Sequence, residues 1–258
     1  LCLGYFLLVR NKDFQAGGVW SLLFLKPQFL PAALLFVGCY TLTRRWKLLF
    51  GFLSGSLAMI LLTAFALGPD ALVRWYHSLK FSDTIFTNPA YNYPHYLAVS
   101  IPSVILQLLP TEYTSIAKLV LYCAAFALGV FTLFFCVRLI GKFGKERSLP
   151  MIMILSVLVL PVVLPHFLYY DLCCFVVVAL LVQNGALPEV LHIVFKREIL
   201  AAYAVINLYF IYFFATSIKG SHSIAPVILV IFLTSIFAVS IYQFSRLNLE
   251  SELESQRV

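Results

Sequence analysis

The chain has 258 residues, of which 62% are hydrophobic and 11% charged, with a net charge of +7. Soluble domains hold roughly 25% charged residues, and a folded domain of this size still exposes too much of its area to hide so many apolar side chains. That excludes a soluble globular domain. It also argues against a nucleic-acid partner, because the basic residues stand in short clusters between apolar runs, which is the pattern of membrane topology.

The first apolar run, residues 1–9, is too short to span. It is expected to be the end of a helix that begins upstream. It lacks the basic start and small-residue cleavage site of a signal peptide. Residues 14–25 would make about 18 Å of helix. Lys26-Pro27-Gln28 follows, then an apolar run to Leu42. Proline cannot continue a helix from its N-terminal side without losing a hydrogen bond. The pattern predicts a helical hairpin with its tip at residues 26–28. Gly17-Gly18 near its start suits close packing against a neighbour. Residues 48–67 form an uncharged run long enough to span.

Residues 71–86 interleave Leu72, Trp75, Tyr76 and Leu79 with Arg74, His77 and Lys80, which predicts an amphipathic helix at the interface. A polar-aromatic loop at residues 88–96 comes next, then a second short interfacial helix at residues 99–109. Further spans are predicted at residues 119–137, 149–164, 199–217 and 225–244. Strict alternation is absent, which argues against a β-barrel. Residues 1–244 thus read as an all-α, polytopic transmembrane helix bundle, truncated at its N-terminus. Residues 245–258 read as a tail, polar and acidic from residue 248 on and expected to be disordered.

The basic clusters set the topology. The turns near residues 10–13, 43–47, 138–147 and 196–198, together with the tail, hold thirteen of the eighteen Lys and Arg. Lys26, Arg74, Lys80, Lys118 and Lys219 fall on the other side. The richer side is expected to be cytoplasmic, and the C-terminus with it. The six cysteines lie within apolar runs, without metal-ligand spacing, and read as packing residues. No metal and no cofactor is expected.

Ionisable groups near membrane depth are costly and face a cavity or a partner. Three places qualify, all on the expected outer side. Lys26 at a helix break offers a cation for a phosphate, and Gln28 adds a donor and an acceptor. The plainer alternative is a lysine that snorkels to the headgroups. Residues 165–171 bring His166, Tyr169, Tyr170 and Asp171 between two apolar runs. If a helix begins after Pro165, His166 shares a face with Tyr169 and Tyr170 by i, i+3 and i+4 spacing. Asp171 could instead be structural, satisfied by backbone groups or by Lys118. In the loop at residues 88–96, Asn88, Tyr91 and His95 have the amides, hydroxyls and aromatic faces that bind sugars. The same residue types also furnish membrane interfaces.

Taken in order, these motifs resemble glycosyltransferase family 87, the polyprenyl-phosphate-mannose-dependent mannosyltransferases. The similarity rests on the apolar run before Lys26-Pro27-Gln28, on Arg44-Arg45-Trp46 closing the next run, and on Gly51 to Gly55 opening the helix after it. Pro165-His166 followed by Tyr170-Asp171 is a second likeness. Asn88 after Trp75-Tyr76 is a weaker third. The loop wording Asn92-Tyr93-Pro94-His95 departs from the Asn-Gln-Ser expected there.

The resemblance implies a C-type glycosyltransferase fold with its active site at the extracytoplasmic face of a bacterial cell membrane. It implies a polyprenyl-phosphate sugar donor and a lipid or glycan acceptor, with Lys26, Gln28, Asn88, His166 and Tyr170 as substrate contacts; Tyr91, His95 and Tyr169 join them as candidates by residue type and spacing alone. The family's catalytic carboxylate belongs to a first outer loop, expected upstream of residue 1, which leaves Asp171 as a fallback base. Phosphate is a good enough leaving group that a metal is not required. The competing readings are a secondary transporter, against which the absence of inverted repeats counts, and a non-catalytic polytopic membrane protein.

Overall fold

The computed structural model describes residues 1–87, 99–109, 111–164, 167–183, 204, 205, 208 and 225–255. Among the described residues the chain is all-α, with short 3-10 turns and no strand. Four described helices are long and apolar enough to cross a membrane: Trp46–Leu67, Thr114–Phe143, Lys145–Val163 and Val227–Arg246. They take up four of the five spans read from the sequence. The fifth, at residues 199–217, lies almost wholly outside the described residues. The chain is a polytopic membrane helix bundle. It divides into two compact units, Leu1–His95 and Tyr96–Val258.

The first unit opens with α1 (Cys2–Val9) and α2 (Asp13–Ser21). A 3-10 turn at Leu22–Leu25, the break at Lys26 and a second 3-10 turn at Pro27–Phe29 lead into α3 (Leu30–Leu42). This is the hairpin predicted from Lys26-Pro27-Gln28. The spanning helix α4 (Trp46–Leu67) packs against both arms, most extensively against α2. Gly17 and Gly51 make that contact possible. A Cβ added at Gly17 would overlap the carbonyl oxygen of Leu48, and one at Gly51 would overlap that of Phe14. Gly55 meets Ser21 and Gly18 in the same seam. Lipid is as apolar as leucine, so helices in a bilayer associate through close van der Waals approach, and small residues permit it.

Trp20 anchors the other side of α2. Its ring lies 4.8 Å from that of Phe36 on α3, and its indole N–H donates to the Leu1 carbonyl at 3.2 Å.

The feet of the hairpin are joined electrostatically. Arg45 donates from Nη1 to Asp13 Oδ1 at 3.0 Å and from Nη2 to Asn11 Oδ1 at 3.4 Å. Both turns that bring these residues together are the same device. After α1, Lys12 N–H reaches Leu7 O and Asn11 N–H reaches Leu8 O, each at 2.9 Å. After α3, Arg45 N–H reaches Tyr40 O at 2.7 Å and Arg44 N–H reaches Thr41 O at 3.0 Å. These paired bonds are Schellman caps, which place one residue in the left-handed region, usually glycine. Here Asn11 (φ 59°) and Arg44 (φ 64°) take that position. For a residue with a Cβ this costs roughly 1–2 kcal/mol. The helix α5 (Asp70–Thr87), largely exposed, closes the unit. It matches the interfacial helix expected at residues 71–86.

In the second unit, α6 (Ile101–Leu108) is capped by Ser100, whose Oγ accepts from Ser103 N at 3.3 Å. The helix α7 (Thr114–Phe143) ends at Gly144, whose φ of 73° turns the chain into α8 (Lys145–Leu158). A short α9 (Leu160–Val163), a 3-10 turn at Tyr169–Cys174 and α10 (Phe175–Gln183) follow, then α11 (Ala225–Ser255). The core of this unit is α8. Its span is 78% buried, against 11% for α7, and it packs on α7, α10 and α11. Hydroxyls inside the spans turn back on their own helices: Thr132 Oγ1 donates to Leu128 O at 2.8 Å and Ser240 Oγ to Ile236 O at 2.7 Å. At the C-terminus, α11 runs on through Ser255, where a disordered tail was expected. A helix already nucleated in the span propagates cheaply through good helix formers, and Leu247, Leu249, Glu250, Glu252, Leu253 and Glu254 are of that kind.

The glycine seam gives a graded expectation. Gly51→Ala should destabilise the protein by about 1–3 kcal/mol or more, because the neighbour that must yield is backbone. Gly129→Ala on α7, where a Cβ meets nothing within 4 Å, should instead be neutral or stabilise by about 0.5–1 kcal/mol. Thermal unfolding of the two variants in one detergent checks the contrast.

Candidate functional site

At the Lys26 break both backbone groups of the lysine are paired. Lys26 has a non-helical backbone (φ −133°, ψ 78°) between the two 3-10 turns. Its N–H donates to Leu23 O at 3.0 Å, and its carbonyl accepts from Phe29 N at 3.1 Å. Proline at the first position of the second turn loses nothing, since that N–H has no helical partner. The break therefore exposes side chains rather than amides.

Lys26 is half-buried, with Nζ 4.7 Å from the centroid of the buried Phe29 ring, a cation–π distance. Gln28 is half-buried beside it, and its Oε1 is buried with no hydrogen-bond partner among the described residues. An acceptor left in that state costs about 1–3 kcal/mol. The tip thus presents a cation backed by an aromatic face and an amide oxygen short of a donor. Leu22 and Leu25, both exposed, rim it with apolar surface. The cation suits a phosphate, and the amide oxygen suits a hydroxyl.

The second group lies in the other unit. Asp171 is fully buried. Its Oδ2 accepts from Leu168 N at 3.1 Å, while its own N–H donates to Leu168 O at 2.8 Å. It therefore caps the 3-10 turn that starts at Tyr169. Val99 N–H donates to Phe167 O at 2.7 Å, which ties this segment to the start of α6. The face drawn for His166, Tyr169 and Tyr170 needed a helix from residue 166. Leu168 is extended instead (φ −96°, ψ 157°), so helical spacing does not carry that grouping. Tyr169 and Tyr170 open the 3-10 turn. His166, Asn88, Tyr91 and His95 lie outside the described residues. Lys26 and Gln28 belong to the first unit, and Tyr169, Tyr170 and Asp171 to the second.

Sequence reasoning missed the pairing of Asp13 with Arg45, which are far apart in the chain. The signal was present, since Asp13 is the one acid inside the basic turns at residues 10–13 and 43–47. Among the described residues no group of three or more His, Cys, Asp or Glu could hold a metal ion.

Asp171→Ala should strand the buried Leu168 amide and cost about 1–3 kcal/mol. Asp171→Asn retains an acceptor and should cost less. Melting temperatures of the two variants in detergent decide, and equal losses would mean that the carboxylate charge matters more than the cap.

No curated protein and no solved structure matches the chain. A sequence model of glycosyltransferase family 87 matches residues 1–165. That stretch contains Lys26-Pro27-Gln28, Arg44-Arg45-Trp46, the Gly51–Gly55 seam and the segment with Asn88, Tyr91 and His95. It stops one residue short of His166, so the likeness at Tyr170-Asp171 falls outside it. With well over half of its length matched, and with helices fit to cross a membrane, this chain belongs to glycosyltransferase family 87 and is an integral membrane glycosyltransferase.

Proposed function

We propose that the protein transfers a hexose, mannose in the first instance, from a polyprenyl-phosphate donor to a lipid or glycan acceptor at the extracytoplasmic face. The observation that carries this reading is the hairpin tip, where Lys26 sits against Phe29 and the buried Gln28 Oε1 has no hydrogen-bond partner among the described residues. A donor whose phosphate is anchored in lipid would arrive at such a place from the bilayer side. Lys26 would hold the phosphate, where negative charge grows as the sugar departs. Gln28 Oε1 would accept a hydrogen bond from a sugar hydroxyl. Asn88, Tyr91, His95, His166, Tyr169 and Tyr170 are proposed as further donor and acceptor contacts. Asp171 suits a positioning role better than that of base, because it is fully buried and one oxygen is engaged by Leu168.

Lys26→Met keeps the aliphatic stem and removes the charge. It should leave the protein folded and inserted while cutting transfer from polyprenyl-phosphate mannose at least about tenfold, or about 1.4 kcal/mol of transition-state stabilisation. Lys26→Arg should be milder if charge alone matters, and nearly as damaging if the pocket is tight. Wild-type turnover in Lys26→Met would reduce this lysine to one that snorkels.

The outer placement of the site rests on the charge asymmetry, thirteen of eighteen Lys and Arg on one side. In a cysteine-free background, single cysteines at Asn88 and Arg45 should react with an impermeant thiol reagent from opposite sides of sealed vesicles. Labelling of both from one side would break the topology, and labelling of Asn88 from the cytoplasmic side with Arg45 from the other would invert it.

A further inference from the structure

The turns at residues 10–12 and 43–47 meet at one end of the first unit, and we infer that together they form a binding surface for anionic phospholipid headgroups. The Arg45–Asp13 pair and the Arg45–Asn11 hydrogen bond hold the two turns together. Around this clasp stand Arg10, Lys12, Arg44 and Lys47, all exposed. Asp13 is buried and matched by Arg45, so it does not neutralise them. Asp70 lies beyond the far end of α4.

Two further features point to phosphate. The helices α2 and α4 both begin here, so their first amide groups and the positive ends of their dipoles face the same place as the basic side chains. The surface also lies at the end of apolar helices, where lipid phosphates are always within reach. Trp46, 52% exposed at the first position of α4, supplies the indole that favours the headgroup layer. Arg10 folds its guanidinium over the Phe6 ring at 4.2 Å, which holds the charge beside the apolar surface of α1.

Arg44 occupies the left-handed cap position that glycine would fill at lower cost, so its charge can be removed there without losing the turn. The surface is separate from the Lys26 tip and does not depend on which sugar donor the enzyme uses.

The test uses the whole protein in nanodiscs of equal phosphatidylglycerol and phosphatidylcholine. Lipids retained on release are counted by native mass spectrometry. Wild-type protein should retain phosphatidylglycerol in preference. Each surface cation contributes about fivefold to attraction for anionic lipid, so changing Arg10, Lys12, Arg44 and Lys47 together to Gln should cut the enrichment at least tenfold. Arg44→Gly is the sharper variant. It relieves the backbone and should keep or raise the melting temperature, yet lower the enrichment several-fold. Unchanged enrichment in Arg44→Gly, or in the folded fourfold variant, overturns the proposal. So does an equal fall when Arg138, Lys142 and Arg147 are changed to Gln, which would make the effect one of diffuse charge.

Discussion

No amide inside hydrocarbon can be left without a partner, because water is absent to replace it. That constraint accounts for the main irregularities among the described residues. Where the path must bend at Lys26, two 3-10 turns keep the neighbouring amides bonded. Where α1 and α3 stop, Schellman caps satisfy the last carbonyls. At Phe167–Leu168 the chain is extended, and its polar groups go to Val99 and Asp171. Hydroxyls within the spans bond to their own helices rather than to each other. Among the described residues, Lys26, Gln28 and Asp171 all stand at such bends.

Much of this was legible in the sequence. The spans were readable because a run long enough to cross a bilayer has few other uses. The hairpin was readable because proline after lysine, between two apolar runs, leaves few options. Gly17-Gly18 was readable as a close-packing site, but not that Gly51 and Gly55 would be its partners. Whether a helix begins after Pro165 could not be read from spacing alone; Leu168 is extended and a 3-10 turn starts at Tyr169. The role of Asp171 could not be read either. A capping carboxylate and a catalytic one look alike as letters and differ only in which amide lies within 3.1 Å.

Two cations in the first unit show how context divides similar residues. Arg45 is tied to Asp13 and Asn11 through its planar fork. It is part of the scaffold. Lys26 sits on an aromatic face at the opposite end of the hairpin. A compact ammonium on a flexible stem can follow a moving phosphate in a way a doubly bonded guanidinium cannot. The family match covers both residues, and the geometry shows one in an ion pair and the other over an aromatic ring.

The helix α7 has 30 residues, or about 45 Å at 1.5 Å per residue. Lys118 and Arg138 on it are separated by about 30 Å, the thickness of a typical hydrocarbon layer. The helix therefore works as a gauge, with its charged marks at the two edges of the oil. Little of its span is buried among the described residues, and the neighbours it does pack on are α6, α8 and α9. A thinner membrane would make it lean. Gly144 joins it directly to α8, the buried post of its unit. One turn thus couples a helix fitted to the thickness of a membrane to a helix fitted to its protein neighbours, and the two answer to different solvents.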